Sequence, residues 1–572
     1  MTETIENHNK PSVQKRWLKY IPEENRNIET PKRTLYEHLY LSNINNMNGL
    51  AIDYYDKKIK FRKLFEMIDE CSRAFSKLGV KKGDVVAICM PNTPEALASF
   101  YALNNIGAIP NMIHPLKSQT EINSYIKETN CKYVVALDDV VPKISGDNLK
   151  VISCGADISM PLAKKIAFKV KKKGQDPHFE ESQNVDVISW KKFIANGKGA
   201  TYTHIPYSKD EIAVLLHTGG TSGDAKTVPL SNDNINSMIT QFGAMADNFS
   251  AGDKMLTIMP IFHGFGLCSS VHLPLCNGVS IILVAKFSKK DLPKLLKKRP
   301  NHIIGVPTLF NAMMSNKELK DSDLSCLKYV VYGADKMKNE EEFNEFLRAH
   351  NCTSTVCKGY GLTEAVAGVT FSFNGCNKVG SIGIPMVNTD FKIVDPNTGE
   401  EIGYNEDGEI CISGPTVMVQ DYFGNTKKHS ISLEDGKKWL HTGDMGYIDE
   451  DGIVFYTQRL DRMFESSGVN VYPDSIEREL EKVDGVESSI VVPMEDEYKG
   501  NVPVAFIKIK NGALGITPAL AEKLRLQCKM NLDRYHQPVK FVQVEKFPET
   551  ALGKMDYKTL IKKMNCQHNI VG

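Results

Sequence analysis

Charge of one sign is missing from this 572-residue chain, where 70 Lys and Arg stand against 69 Asp and Glu. No global field therefore draws it to nucleic acid or to an anionic bilayer, and any such binding has to be local. Long apolar runs are missing too. No window reaches the roughly 18 consecutive apolar residues of a membrane span, and the opening MTETIENHNKPSVQKRW lacks the apolar stretch of a secretory signal. The 13 cysteines include no C-x-x-C pair, so neither a zinc knuckle nor a disulfide framework is implied, and a reducing cytoplasm is the expected setting. No repeat of solenoid period is visible, and 41 Gly and 26 Pro are too few for a collagenous or low-complexity fibre.

What is present is ordinary globular composition, 42% apolar and 24% charged, over a length that fits about three to four domain-sized units. From Thr34 the patterns alternate. LFEMIDECSRAFSKLGV reads as an amphipathic helix, DVVAICM as a buried strand and PEALASFYALNNIGA as a helix, with further β-rich runs in YVVALDD, HLPLCNGVSIILV and LKYVVYGA. Such alternation predicts an α/β fold of layered sheets covered by helices. After residue 440, GYIDEDGIVFY reads as a hairpin around Asp451-Gly452. VNVYPDSIERELEKV, SSIVVPM, PVAFIKIK and a helix from Pro518 then make a compact α+β unit of about 110 residues. The expected division is an extension over 1–33, a large multi-subdomain unit over 34–460 and a small mobile unit over 461–572.

One segment breaks the rhythm. In PLAKKIAFKVKKKGQDPHF, Leu162, Ile166 and Val170 recur every four residues among Lys164, Lys165, Lys169, Lys171, Lys172 and Lys173. This is a short basic amphipathic helix ending near Gly174, read either as a solvated insertion or as a peripheral membrane contact through residues 162–173.

The richest stretch is AVLLHTGGTSGDAKTVPLSN, a buried strand running into Thr218, Gly219, Gly220, Thr221, Ser222, Gly223, Asp224, Ala225 and Lys226. Glycines let backbone N–H groups converge, hydroxyls donate and the lysine supplies charge, which suits a polyphosphate. The stretch misses the Walker pattern by one residue, at Ala225. Val228-Pro229 follows where a Walker loop would open a helix, and a residue before Pro is pushed out of the α region. The chain is therefore expected to continue extended, with a helix from about Asp233 placing Ile235, Met238, Ile239 and Phe242 on one face.

The loop resembles T-S-G-T-T-G-x-P-K-G of the acyl-adenylate-forming superfamily, which includes acyl-CoA synthetases, adenylation domains and luciferases. Gly219, Ala225 and Thr227 depart from that form. Other motifs follow in order over roughly residues 35 to 560: Pro260-Ile261-Phe262-His263-Gly264-Phe265-Gly266, Val330-Val331-Tyr332-Gly333-Ala334, Tyr360-Gly361-Leu362-Thr363-Glu364, His441-Thr442-Gly443-Asp444, Arg459-Leu460-Asp461, Ser467-Gly468-Val469-Asn470-Val471-Tyr472-Pro473 and Pro548-Glu549-Thr550-Ala551-Leu552-Gly553-Lys554. The chain departs again at Asp335-Lys336, Gln458, Ser467 and Ser475.

The resemblance implies the roles. Thr218 through Lys226 hold the β and γ phosphates, and His263 stands at the acyl-pocket wall. Gly333, Ala334, Tyr360 and Gly361 lie beside adenine, Thr363 meets the α-phosphate or the acyl carboxylate, and Glu364 holds Mg²⁺ as a hard oxygen ligand should. Asp444 accepts from the ribose hydroxyls, Arg459 lies near ribose and phosphate, Asp461 is the pivot and Gly468 borders a thiol tunnel. Lys554 is the mobile catalytic lysine. The implied reaction is ATP-dependent ligation of a carboxylic acid, a fatty or aryl acid and foremost a medium- or long-chain fatty acid, to coenzyme A through an acyl-adenylate. GFGLCSSVHLPLC holds no acid that would bind an α-amine, and the flanks Val306-Pro307 and Val366-Ala367-Gly368 are apolar. Two alternatives stand beside this: a carrier protein as the acceptor, and a non-catalytic homologue, against which Lys554, Glu364 and Asp444 are all present.

Overall fold

The computed structural model describes residues 10–172, 185–218, 226–246, 249–337, 339–373, 375–424, 430–434, 436–466, 469–496, 500–510, 516–532, 534–548, 555–557 and 559–561. Among them no helix is long and apolar enough to cross a membrane. Every described cysteine is a free thiol and all but Cys326 are buried.

Two large sheets carry the expected α/β architecture. In the seven-stranded sheet the order is Val185–Ser189, Leu149–Cys154, Tyr133–Leu137, Val85–Cys89, Ile109–Met112, Ile212–His217 and Thr227–Ser231. Its pairs are parallel except the last. The nine-stranded sheet has the parallel run Tyr329–Tyr332, His302–Gly305, Lys254–Thr257 and Ser280–Leu283 at its centre. Strands this apolar on both faces need covering, and helices supply it. Phe61–Leu78 buries Leu64, Phe65, Ile68, Cys71 and Phe75 along one stripe and ends at Gly79, whose φ of 101° is the left-handed cap glycine tolerates. Pro94–Asn105 is buried on all sides. Residues of both sheets and of these helices share one core.

A five-stranded sheet follows, Asp390–Val394, Gly408–Ser413, Lys437–Ile448 and Ile431–Glu434, with Val454–Arg459 also paired to the long third strand. The hairpin turns at Gly452, φ 86°. Strands from Phe464 onward pair only with one another among the described residues, as Val469–Val471, Phe464–Ser466, Gly500–Ile509 and Val486–Asp496 with Lys540–Gln543 beside the third. The helices Pro473–Glu481 and Pro518–Asn531 accompany them.

One reading needs correction. HLPLCNGVSIILV is not β throughout: Phe265–His272 and Leu273–Cys276 are helical, and only Ser280–Leu283 is strand. These helical turns are almost wholly buried, and a continuous apolar run gives the same signal for a buried helix and a buried strand. The basic helix is present as Leu162–Lys172; Gly174 lies outside the described residues.

Candidate active site

The phosphate-type loop is the connection between the last two strands of the seven-stranded sheet. Thr218 N–H donates to the Lys226 carbonyl at 3.0 Å, and Lys226 N–H donates to Thr218 Oγ1 at 3.0 Å. These bonds close the neck of a loop whose residues 219–225, with Gly219, Gly220, Thr221, Ser222 and Gly223, lie outside the described set. As the Val228-Pro229 pair predicts, the chain leaves the loop as the strand Thr227–Ser231, and the helix Asn232–Met245 follows with Ile235, Met238, Ile239 and Phe242 buried. Pro229 is tolerated because this strand is at the sheet edge. Ser231 caps the helix through Asn234 N–H.

His217, which the motifs did not single out, sits under this neck. It bonds Asn111 Oδ1 at 2.6 Å and Thr227 Oγ1 at 3.1 Å and stacks on Tyr125. Burial holds its imidazole down at about 3, so it is a neutral strut.

The Tyr360–Glu364 segment ends the strand Val356–Tyr360 and turns sharply. A Cβ on Gly361 would lie 1.4 Å from the Ala367 carbonyl, which excludes any other residue there. Thr363–Ala365 is a single 3₁₀ turn, closed by Val366 at φ 71° and ψ −71°. A β-branched residue with positive φ is strained, and strain of this kind collects at functional turns. The His263 loop docks on this turn. A Cβ on Gly264 would lie 1.8 Å from the Val366 carbonyl and 3.4 Å from Leu216 Cδ1. Gly264 thus lets the strand that leads to the loop, the 260–266 segment and the turn closed by Val366 meet at one point.

A fourth segment joins them through Tyr422. Its hydroxyl donates to Glu364 Oε1 at 2.9 Å and accepts from Lys226 Nζ at 3.0 Å, while Nζ stands 4.1 Å from the centre of the same ring. Burial holds the phenol well above its usual range, with Glu364 adding to the effect. The ring therefore keeps its proton and bridges the lysine and the carboxylate as a neutral group. Met418 N–H donates to the Glu364 carbonyl at 2.9 Å, and Phe423 N–H to that of Thr227 at 2.7 Å. The 414–424 stretch is thereby tied to both the turn and the loop.

Beyond Tyr360 lies a second corner. The Tyr360 hydroxyl donates to Asp444 Oδ2 at 2.5 Å, and Arg459 Nη1 donates to Asp444 Oδ1 at 2.9 Å. Asp444 and Arg459 are cross-strand partners in the hairpin, so register puts carboxylate and guanidinium side by side. Burial pushes the Asp444 carboxyl up, partly offset by Arg459. Glu409, another residue the motifs missed, holds the loop before it. One oxygen accepts from Gly443 N–H at 3.0 Å and the other meets His441 Nδ1 at 2.9 Å. Gly333 approaches the next strand so closely that a Cβ would lie 2.9 Å from the Gly359 carbonyl, and Ala334 has φ 69°. These place the Gly333-Ala334 turn beside Tyr360.

Of the expected site residues, Thr218, Lys226, His263, Gly333, Ala334, Tyr360, Gly361, Thr363, Glu364, Asp444 and Arg459 belong to this connected set. Gly468 and Lys554 lie outside the described residues. Asp461 is in the 3₁₀ turn Leu460–Arg462. Around that turn, Lys336 Nζ donates to the Thr457 carbonyl at 3.1 Å and lies 3.8 Å from Asp474, and Asp474 N–H donates to Gln458 Oε1 at 3.4 Å. Lys336 and Gln458, departures from the resembled pattern, thus contact the first helix after the turn. Tyr422 and Glu409 escaped sequence reading because their partners are distant in the chain.

Known proteins resemble this chain over most of its length. Residues 44–422 match the family described as AMP-binding enzyme, and residues 475–554 match the AMP-binding enzyme C-terminal domain. A long-chain-fatty-acid–CoA ligase of Bacillus subtilis (strain 168) is 30% identical over 569 residues, covering 97% of this chain and 99% of that protein. A 4-coumarate–CoA ligase of Humulus lupulus is 28% identical over 538 residues, 91% and 90% of the two chains. The crystal structure of ATP-bound MatB from Rhodopseudomonas palustris superposes with a TM-score of 0.75 at 23% identity, over 93% of this chain and 98% of that one. With two thirds of its length matched by the family, and one relative alike from end to end, the chain belongs to the AMP-binding enzyme family.

Proposed function

We propose that this protein is an AMP-forming acid–thiol ligase that joins a medium- or long-chain fatty acid to coenzyme A through an acyl-adenylate. The observation that carries the reading is the joining of Lys226 and Glu364 by one tyrosine hydroxyl, with the Asp444–Arg459 pair next to Tyr360. A cation for phosphates, a carboxylate for a divalent ion and an acceptor for ribose hydroxyls lie in the order in which a nucleotide triphosphate presents its parts. The name of the Bacillus relative supports a fatty acid. So do the apolar flanks of the Thr363–Ala365 turn, and the free thiols suit a reducing cytoplasm.

A carboxylate is a poor acyl donor because its leaving group would be oxide, so it is first joined to AMP by in-line attack at the α-phosphorus, which breaks the α–β phosphoanhydride bond and expels pyrophosphate. Acid and triphosphate are both anionic, and charge arranged beforehand is the main catalytic requirement. Lys226 and the 218–226 loop hold the β and γ phosphates. Glu364, a half-buried carboxylate, fits Mg²⁺, which when bound supplies positive charge to the phosphates. Thr363 orients the reacting acid or α-phosphate, and Asp444 with Arg459 fixes the ribose. Lys554 bridges carboxylate and α-phosphate. In the second half-reaction the unit beginning at Asp461 turns, Lys554 leaves, and the thiol enters near Gly468, attacks the acyl carbon and displaces AMP.

The test is acid-dependent pyrophosphate release from ATP over a panel of fatty, aryl and amino acids, with and without coenzyme A, following AMP and thioester by mass spectrometry. Acyl-CoA from a fatty acid supports the reading, and pyrophosphate without thioester points to a carrier protein. Silence across the panel would falsify it in favour of a non-catalytic homologue. Lys554→Ala is expected to lose adenylate formation by about three orders of magnitude yet still transfer a supplied acyl-adenylate to its thiol.

A further inference from the structure

The helix Leu162–Lys172 is turned inside out. At about 100° per residue, Leu162, Ala163, Ile166, Ala167 and Val170 share an arc of roughly 140°, and an ordinary surface helix would bury that stripe. Here the stripe faces solvent: Leu162 is 74% exposed, Ile166 56% and Val170 66%, with Ala163 and Ala167 exposed between them. The opposite face makes the attachment. Phe168 packs on the main core, Lys164 Nζ donates to the Tyr55 carbonyl at 2.7 Å and pairs with Asp56, and Lys165 lies 4.0 Å from Asp157.

The surface beside it is basic. Asp56 draws in two other segments at once: besides Lys164 it meets Lys298 at 2.8 Å and Lys294 at 3.9 Å. The Lys164 and Lys298 ammoniums hold its carboxyl well below the usual range. Lys58 and Lys298 pair also with the buried Asp53, but these two acids do not balance the lysines around them. Residues 286–299 hold seven basic residues and one acidic one. Lys57, Lys58, Lys60, Lys289, Lys290 and Lys297 are exposed. A nearly neutral chain thus concentrates positive charge around an outward aliphatic stripe.

We infer that this face docks on an anionic lipid bilayer, the stripe entering the boundary between headgroups and acyl chains while the surrounding lysines meet lipid phosphates. Charge complementarity selects an anionic partner, and the stripe selects lipid over protein. It consists only of aliphatic side chains and alanine, as interfacial helices do, whereas protein interfaces concentrate binding on aromatic and arginine anchors. The inference stands independently of the ligase reading, since none of these residues belongs to the site.

The experiment is co-sedimentation of the full chain with vesicles of phosphatidylglycerol and phosphatidylcholine, against vesicles of phosphatidylcholine alone, at low and at high salt. Binding to the anionic vesicles is expected to exceed that to the neutral ones by about tenfold or more and to fall at high salt, where the Debye length shrinks. The triple variant Leu162→Glu, Ile166→Glu, Val170→Glu should lose at least about tenfold of it with its circular dichroism unchanged. Lys57→Glu with Lys289→Glu and Lys290→Glu should weaken only the salt-sensitive part. Equal sedimentation with both vesicles, or unchanged binding by the triple variant, overturns the proposal. So does a dimer in sedimentation velocity that Ile166→Glu abolishes, since the stripe would then be covered by a second copy.

Discussion

Asp444 is 4% exposed and has a protein donor on each carboxylate oxygen, whereas Glu364 is only half-buried and is held through Tyr422 on one oxygen. The Asp444 corner is a buried carboxylate that strand register sets beside a partly exposed guanidinium. The Glu364 corner is assembled from a strained turn, a loop neck and a tyrosine brought from far along the chain. A group bonded alike before and during reaction contributes to binding, while a group whose contacts strengthen as charge develops contributes to turnover. The two corners should therefore fail differently.

Glu364→Gln tests the contrast hardest. It is expected to lower kcat for pyrophosphate release by about 10²- to 10³-fold with a small change in KM for ATP, measured under saturating acid. Asp444→Asn should instead raise KM for ATP by about 10- to 30-fold and leave kcat within a few-fold. If both variants lost kcat alike, the division between the corners would be wrong. The wild type offers a pH version of the same test. Burial raises the Asp444 carboxyl, so KM for ATP should begin to climb, as pH falls, above the range where an exposed aspartate titrates. Tyr422→Phe should lower kcat by about tenfold, since it keeps the ring beneath Lys226 but removes the hydroxyl that joins the lysine to Glu364.

The smallest expected effect on turnover is none, and it belongs to Glu95, outside both corners. Burial pushes its carboxyl up to about 7 despite the Ser159 hydroxyl on Oε1. The unfolded chain releases this proton near the ordinary carboxylate value while the folded chain keeps it, so stability falls as pH rises from about 4.5 to about 7 and is level above. Glu95→Gln should be more stable than wild type at pH 8 by on the order of 3 kcal/mol. The difference should vanish below about pH 4.5, as read from urea melts at both pH values.

Local chemistry made much of this legible in advance. Val228-Pro229 predicted an extended exit from the loop, and Asp451-Gly452 the hairpin that sets Asp444 beside Arg459. The motif order brought His263, Thr363 and Glu364 to one place. Tyr422 was not legible, because it lies 58 residues from Glu364 and 196 from Lys226 and no local pattern marks it. Helical period revealed the stripe of Leu162, Ile166 and Val170 but not its outward direction, which depends on Phe168 and Asp56. HLPLC was misread because all-round burial erases the periodicity that separates helix from strand.

The hairpin between Lys437–Ile448 and Val454–Arg459 also acts as a ruler. Asp444 and Arg459 meet because a fixed number of residues runs out to Gly452 and back. Adding or deleting one residue in the turn would shift the return strand by a single step and send the guanidinium to the other face. Every residue of the motifs would still be present in such a gene, yet the pairing would be gone. In this region the spacing decides the pairing as much as the residues do.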